Sequence, residues 1–429
     1  MSDETRTLRP ARAAAPPSQD SAARPAPGAR TVWATRLVVA GIVLAALNLR
    51  PAVTSLGALL EEARVDLHMS GTVTGLLTSV PALCFAVFGT TAPRLARRFG
   101  PAAVVCAGMA AITAGLVIRP LAGGAAGFLA ATALALVGIA VSNVLMPVIV
   151  KNYFPDRVGP MTGVYSMALA AGTSLAAAAT VPMTSALGGS WRTGLAVWAV
   201  LAAAAVLPWL GLLRGRAGSA AVPAAGRRGD TPAAPITRSP TAWALACFFG
   251  LQATGAYITM GWMPQIFRDA GVSASTAGVL LAVTMAMGIP LAFVIPRLAA
   301  RMRNQGPIVV ALGLCGVTGY LGLFLAPAAG AWAWALLLGV SNCAFPLALT
   351  MIGMRSRTGA GVVRLSAFAQ SAGYLISIPG PLLVGVLYQH SGGWTVPLLL
   401  MAGLLVPQMA AGVLAGRDRT IEDEKRMRD

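Results

Sequence analysis

The sequence predicts an all-α membrane protein in which twelve transmembrane helices form two six-helix pseudo-repeats. Hydrophobic residues make up 56% of the 429 positions and charged residues 11%, and the mean hydropathy is +0.73, far from the composition of a soluble domain. Apolar runs of about 20 residues, the length that crosses a bilayer as a helix, recur along the chain. Short motifs also recur at offsets of 199 to 206 residues.

The apolar runs define twelve predicted spans. They cover residues 37–60, 71–92, 101–121, 125–150, 159–183, 193–213, 241–267, 275–296, 307–326, 331–354, 361–388 and 395–416.

The first span contains Asn48-Leu49-Arg50-Pro51 near its middle. A guanidinium inside a membrane costs about 3 kcal/mol or more, so such a residue normally faces a wet cavity or a partner. Pro51 removes a backbone donor and predicts a kink. Helical spacing places Arg50, Thr54, Gly57 and Glu61 on one face. The alternative is a structural arginine that binds helix-end carbonyl groups of a neighbour.

The formal charge of +18 is distributed as expected for a membrane protein. With both termini in the cytoplasm, the tails and cytoplasmic loops hold 27 of the 32 Lys and Arg residues. Arg64, Arg119, Arg192 and Arg268 are then left outside, and Arg50 lies within the membrane. This is the positive-inside pattern, and it argues against nucleic acid as a partner.

The first outer loop, residues 61–68, contains Glu61, Glu62 and Asp66. A solvated helix end is the favoured interpretation of this acidic cluster, and a gate or proton site at the cavity mouth is the alternative. None of the 14 Asp and Glu residues is predicted inside a span, so a relay of buried carboxylates has no obvious members.

The sequence shows no metal-type or catalytic constellation. The five cysteines all fall in apolar spans without zinc spacing, and we interpret them as buried free thiols. There is no His/Glu metal pair, no phosphate-binding Gly loop with Lys, and no nucleophile with a plausible base. We therefore predict no enzymatic activity, no metal and no cofactor.

The repeated motifs relate the two halves of the chain. Pro93-Arg94-Leu95-Ala96 matches the tetrapeptide that begins at Pro296, at an offset of 203. Ser142-Asn143 with Pro147 matches residues 341–346, and Gly188-Gly189 before Trp191 matches residues 392–394. An even number of helices in each half makes the repeat parallel.

The predicted organisation has five segments. Residues 1–35 form a disordered cytoplasmic tail rich in Ala, Pro, Arg and Ser, and we prefer this to a cleaved signal peptide because further spans follow. Residues 36–213 are the first six-helix half and 240–416 the second. Residues 214–239 are a basic, flexible cytoplasmic linker, and residues 417–429 are a cytoplasmic tail.

Several polar side chains fall inside spans, where each must form a hydrogen bond between helices or line a cavity. A single one is as consistent with helix packing as with ligand contact, whereas the set as a whole predicts a central polar cavity. Trp262 is interpreted as an interfacial anchor. The predicted substrate-binding residues are Arg50, Asn48, Thr54, Asn143, Gln252, Tyr257, Gln370 and Tyr374.

With these residues and motifs, the chain resembles the major facilitator superfamily, and within it the CynX/NimT family of cyanate and 2-nitroimidazole transporters. The resemblance runs from about Arg36 to Gly416. Its most specific parts are residues 48–51 with Thr54-Ser55, residues 143–155, 159–182, Gln252 with Tyr257, residues 262–264, 368–374, Gly380-Pro381 and residues 392–394.

The resemblance implies a monomer in the bacterial plasma (inner) membrane, with two halves that move by alternating access around a central site. We expect Pro51, Arg94, Arg97, Arg98, Pro147, Arg297 and Gly373 to take part in gating and conformational change. In one respect the chain departs from the superfamily, whose loop after the second helix usually carries Asp before a basic residue. Here Arg97-Arg98 follow Leu95-Ala96, so the usual charge contact of that Asp with the opposite half cannot form.

The sequence therefore predicts a secondary transporter whose substrate is a small anionic or dipolar solute, such as cyanate or a nitroimidazole. A drug-efflux transporter for bulky amphipathic compounds is the main alternative. A sensor or scaffold with a transporter-like body is another, and a membrane enzyme lacks a catalytic constellation. Uptake, efflux, uniport, anion exchange and proton coupling are all consistent with the sequence.

Overall fold

The computed structural model describes residues 29–154, 157–214 and 236–426, and every regular element in these ranges is helical. Twelve segments are long and apolar enough to cross a membrane, which confirms the predicted number of spans. In the first half the helices are α1 (Ala29–Asn48), α2 (Pro51–Ala58), α3 (Leu60–Asp66), α4 (Gly71–Phe99), α5 (Pro101–Ile118), α6 (Ala125–Tyr153), α7 (Val158–Ala186), α8 (Trp191–Ala196) and α9 (Trp198–Arg214). In the second half they are α10 (Pro240–Asp269), α11 (Ala274–Ala286), α12 (Gly288–Arg301), α13 (Gly306–Leu325), α14 (Ala331–Asn342), α15 (Ala344–Met354), α16 (Gly359–Ser377), α17 (Pro379–Ser391), α18 (Thr395–Ala415) and α19 (Ile421–Arg426).

Five of the spans are divided into two helices, by a full break in the first and by a one-residue interruption of the hydrogen-bond pattern in the others. The first span breaks between α1 and α2, at Leu49 and Arg50, and Pro51 occupies the first position of α2, where its missing N–H costs no helical hydrogen bond. The eighth and tenth spans break at Met287 and Cys343. The sixth and eleventh spans are also interrupted. A broken helix within a membrane is tolerated where it is buried in protein or lines a cavity.

Because the spans alternate in direction, their ends define two faces. We call the face at which α1 and α10 begin the terminal face, and the opposite face the distal face. The terminal face is the predicted cytoplasmic side. Helices from the two halves pack on each other mainly where α7 contacts α11, α4 contacts α16 and α17, and α2 contacts α10, with smaller contacts between α7 and α12 and between α4 and α10.

Glycines allow very close packing between the halves on the distal side. A methyl group on Gly57 of α2 would overlap the carbonyl oxygen of Met260 in α10. A methyl group on Gly71 of α4 would likewise overlap the carbonyl oxygen of Gly385 in α17. One on Gly278 of α11 would overlap the carbonyl oxygen of Ala177 in α7. Small residues let helices in membranes approach this closely. The distal face is therefore closed in this conformation.

The fold corrects two expectations, those for Trp262 and Glu61. Arg119 lies at the distal end of the third span, the predicted outer side, where it is fully buried and its Nη1 donates to the carbonyl oxygen of Ala52 at 2.9 Å. Trp262 is not an interfacial anchor, because it is 2% exposed and its Nε1 donates to Oγ1 of Thr78 in the other half at 3.3 Å. Glu61 does not share a continuous helix with Arg50, because the chain leaves helical geometry at Leu59 and Glu61 lies in α3.

The predictions for the cysteines and for the carboxylates agree with the fold only in part. Cys84, Cys106 and Cys343 are buried free thiols as expected, whereas Cys247 and Cys315 are partly exposed. Asp269 is the last residue of the seventh span, so one carboxylate reaches the end of a span. Most of the predicted disordered tail and most of the predicted linker lie outside the described residues.

Candidate functional site

A cavity of about 370 Å³ lies between the two halves and is lined by Arg50. The first half contributes residues of α7, among them Ser166 and Thr173, and the second half contributes residues of α10, α12, α14, α15 and α16. Pro296 and Thr350 also line it, and both lie near the terminal-face ends of their spans. The cavity therefore extends from mid-membrane towards the terminal face, while the distal side is closed.

The break in the first span brings Arg50 to the head of this cavity. Arg50 precedes α2 with φ −126° and ψ −29°, and Thr54 Oγ1 donates to its carbonyl oxygen at 3.1 Å. Asn48 Nδ2 donates to the carbonyl oxygens of Leu44 at 2.8 Å and Leu201 at 3.1 Å. Asn48 and Thr54 are 2% and 0% exposed, and neither lines the cavity. They satisfy backbone carbonyl groups on either side of the break.

Arg50 is surrounded by tyrosine hydroxyl groups. Tyr257, Tyr374 and Tyr165 are its electrostatic neighbours, and Tyr257 and Tyr374 line the same cavity. The side chain is half-buried and faces the cavity. Within residues 29–154, 157–214 and 236–426, every other residue that lines the cavity is uncharged. A single positive charge in an otherwise neutral, largely apolar cavity favours an anionic or strongly dipolar ligand.

Aromatic rings and amides form the remaining walls. Tyr374 stacks on Phe85 of the first half with ring centroids 4.9 Å apart and meets Phe249 edge-on at 5.1 Å, an arrangement that fixes the ring. Gln252 Nε2 donates to Oδ1 of Asn342 at 3.0 Å and to its carbonyl oxygen at 3.3 Å. Both amides line the cavity.

Of the eight predicted binding residues, the cavity thus brings together Arg50, Gln252, Tyr257 and Tyr374. Asn143 accepts a hydrogen bond of 2.6 Å from the hydroxyl of Tyr165, which links it indirectly to the surroundings of Arg50. Gln370 Nε2 donates to Ser366 Oγ within α16 at 2.7 Å. Neither of these two amides lines the cavity.

The predicted gating residues fall in three different settings. Pro51 begins α2 and Pro147 lies inside α6. Gly373 packs against α10, where an added methyl group would meet the ring of Phe249. The four arginines lie exposed at the terminal-face ends of α4 and α12, and they are Arg94, Arg97, Arg98 and Arg297.

Sequence reasoning missed two residues of the site. Tyr165 was passed over, although a tyrosine inside a span is a polar signal of the kind used for Tyr257. Asn342 was noticed only as the repeat counterpart of Asn143, and applying the repeat to the predicted site would have found it. Among the described residues, no group of three or more His, Cys, Asp or Glu side chains could hold a metal ion.

Comparison with known proteins identifies the family of this chain. The model of the Major Facilitator Superfamily matches residues 38–363. The 2-nitroimidazole transporter of Escherichia coli (strain K12) is 34% identical over 389 residues, which cover 90% of this chain and 96% of the relative. The cyanate transport protein CynX of the same organism is 30% identical over 370 residues, which cover 85% of this chain and 94% of the relative.

Solved structures agree with the fold. A bacterial homologue of the human lysosomal transporter Spinster, in an inward-facing and occupied conformation, superposes with a TM-score of 0.72 at 17% identity. The match covers 93% of this chain and 99% of the other. At this identity the likeness concerns the fold alone.

Proposed function

The chain belongs to the major facilitator superfamily and is a secondary transporter of the CynX/NimT type, and we propose that it moves a small anionic or strongly dipolar solute that binds at Arg50. The family consists of transporters, so the enzyme interpretation is set aside. A multi-pass protein of this family works in a membrane; we further infer that both termini are cytoplasmic, from the distribution of Lys and Arg, and that the protein is a monomer.

One observation carries the proposal, namely that among the described residues Arg50 is the single charged one that lines the cavity between the halves. A charge in such a place is costly unless it is paired or solvated. Tyrosine hydroxyl groups supply hydrogen bonds but no negative charge at neutral pH. An anion, or the negative end of a nitro group, would complete the site, which agrees with the printed functions of the cyanate and 2-nitroimidazole relatives.

The transport cycle follows from the arrangement of the halves. In this conformation the cavity extends towards the terminal face, and the distal contacts keep the other side closed. Solute bound at Arg50 contacts helices of both halves, so rocking of one half against the other exposes it to the distal face. The exposed arginines of α4 and α12 are placed to approach each other's half when the terminal face closes.

The test is ligand-dependent thermal stability of the detergent-purified protein with cyanate, other small anions, 2-nitroimidazole and a set of bulky cationic drugs. A ligand at 100 times its Kd stabilises the folded state by about 2.7 kcal/mol. We expect the small anions or the nitroimidazole to raise Tm in the wild type and in Arg301→Ala, which removes an exposed arginine of α12. The response should be lost in Arg50→Ala.

Two results would contradict the proposal. An unchanged response in Arg50→Ala would show that Arg50 is structural. Stabilisation by bulky cationic drugs alone, equal in wild type and Arg50→Ala, would favour the drug-efflux alternative.

A further inference from the structure

Gln252 presents a buried hydrogen-bond acceptor without a partner beside the cavity. The residue is 4% exposed and lines the cavity. Its Nε2 donates twice to Asn342, whereas its Oε1 has no hydrogen-bond partner among the described residues. Buried side-chain oxygens without any partner are uncommon in folded proteins and destabilise the folded state.

The orientation of this amide is fixed by its neighbour. One of the two acceptors that face Nε2 is the backbone carbonyl oxygen of Asn342, which cannot donate a hydrogen bond. Turning the Gln252 amide over would bring two oxygens together. The nitrogen therefore faces Asn342, and the oxygen is the atom left for another partner.

The two ends of the site offer opposite hydrogen-bonding groups to a ligand. Arg50 offers donors and a positive charge, and Gln252 offers an acceptor. Gln252 and Tyr257, an electrostatic neighbour of Arg50, are five residues apart on α10, which corresponds to a rise of about 7.5 Å along the helix. The acceptor and the cation therefore lie at different levels of the cavity.

We propose that the transported solute carries a hydrogen-bond donor, an N–H or O–H group, at the end opposite its anionic or dipolar group, and that Oε1 of Gln252, which is closed to solvent in this conformation, accepts from this donor when the solute is bound. This rests on the proposed function, because it assumes that the negative end lies at Arg50. The substrate class is then a planar, ring-sized monoanion or dipole with a donor at its far end. The rings of Tyr257, Tyr374 and Phe345, all on the cavity wall, suit such a flat body.

The size of the cavity supports the same class. Its volume of about 370 Å³ is in the range of pockets that hold ring-sized ligands. Cyanate, a linear triatomic anion without a donor, could satisfy Arg50 but not Gln252 at the same time. Sites with a hydrogen-bonding group for a substrate O–H or N–H discriminate strongly against analogues that lack it.

The test compares 4-aminobenzoate with 4-methylbenzoate, two monoanions of nearly equal size that differ in the donor. Their Kd values are measured from the ligand dependence of Tm in wild type, Gln252→Leu and Gln265→Leu. Gln265 is the matched control, because it lies on the same helix and its amide donates to Asp269 rather than lining the cavity. Gln252→Met, with an unbranched side chain of similar length, replaces Gln252→Leu if that variant fails to fold.

We expect 4-aminobenzoate to bind the wild type and Gln265→Leu at least tenfold more tightly than 4-methylbenzoate, which corresponds to about 1.4 kcal/mol. In Gln252→Leu the ratio should fall below threefold. Equal binding of the two benzoates to the wild type, or a tenfold ratio that persists without Gln252, overturns the inference. Binding of cyanate with no response to either benzoate also overturns it and leaves the proposed function standing. If neither the benzoates nor any ligand of the earlier panel raises Tm in an Arg50-dependent way, the proposed function fails as well.

Discussion

Arg268 and Glu62 form a two-contact ion pair across the distal face, with Nη1 to Oε2 at 3.0 Å and Nη2 to Oε1 at 2.9 Å. Glu62 lies in α3 of the first half, and Arg268 in the last turn of α10 in the second half. The acidic cluster of the first outer loop, for which a solvated helix end was the favoured interpretation, thus bridges the halves through one of its members. The pair can form only while the distal face is closed.

Breaking this ion pair should shift the conformational equilibrium towards distal opening. The side chains of Arg268 and Glu62 are 22% and 35% exposed, so the pair contributes no more than about 1 kcal/mol. We expect Glu62→Gln to raise the distal-open population up to about fivefold. The measurement is the distance distribution between spin labels at Val65 and Ser275, both exposed on this face.

The matched control is Glu61→Gln, because Glu61 pairs with Arg64 inside α3 at 2.6 Å and not across the halves. Exchange of the charges, Glu62→Arg with Arg268→Glu, should restore the wild-type distribution. Equal effects of the Glu61 and Glu62 changes would show that general acidity of the loop is responsible and not this ion pair.

Gly57 should be required for closing the distal face. A methyl group there would overlap the carbonyl oxygen of Met260, a backbone atom that cannot move without shifting α10. We expect Gly57→Ala to lower the population of the conformation with the cavity open to the terminal face and to slow solute exchange in proteoliposomes. The same spin-label pair reports the first effect.

Gly255 supplies the control for this substitution. It lies on α10, and an added methyl group would meet no atom within 4 Å. Since alanine is a better helix former than glycine by about 1 kcal/mol, Gly255→Ala should be neutral or stabilising. Closure that is unaffected by Gly57→Ala would mean that the helices separate at this contact at little cost.

Local sequence patterns predicted the spans and the break at Arg50, because hydrophobic length, an intramembrane arginine and a following proline are all visible along the chain. They misplaced Trp262 and did not predict the burial of Arg119, because the surroundings of both residues come from segments far away in sequence. Trp262 donates to Thr78 of the other half, and Arg119 donates to the carbonyl oxygen of Ala52 in α2. Neither contact has a local signal.

The internal repeat also relates two Trp–Asp hydrogen bonds, one in each half. Trp191 Nε1 donates to Oδ2 of Asp66 at 3.3 Å, and Trp394 Nε1 donates to Oδ2 of Asp269 at 2.7 Å. Each residue of the second pair follows its counterpart by 203 positions, the offset of the Pro-Arg-Leu-Ala motif. The tryptophans were noticed in the repeat, but the aspartates were not, because a single acidic residue far along the chain from its tryptophan does not form a motif.

The last described helix should stabilise the second half through Glu424. Its carboxylate accepts hydrogen bonds from Ser239 Oγ at 2.5 Å, Thr241 Oγ1 at 2.6 Å and Thr241 N at 3.1 Å. An anion at the beginning of α10 is also favoured by the helix dipole. Because these donors are buried, we expect Glu424→Ala to lower the free energy of unfolding by roughly 1–3 kcal/mol. The measurement is the Tm of Glu424→Ala, which should be lower than that of Asp418→Ala. The control removes an exposed carboxylate from the same tail. Equal Tm values for the two variants would contradict the role of Glu424.

Attachment of α19 should also depend on pH. Hydrogen bonds from Thr420 Oγ1 at 2.8 Å and Thr420 N at 3.1 Å, together with the nearby Arg357, hold the pKa of Asp423 below its ordinary value. A carboxyl group whose pKa is lowered in the folded state stabilises that state above the unfolded value, about 3.9 for Asp, and loses this contribution as the pH falls through the lowered value.

We therefore expect α19 to stay attached between pH 5 and 8 and to loosen below about pH 4. A spin label at Asp418→Cys reports this as a narrower spectrum at low pH. In Asp423→Asn the contribution of this group is absent at every pH, so the change between pH 5 and 3 should be smaller, whereas an identical change would place the pH dependence elsewhere in the tail.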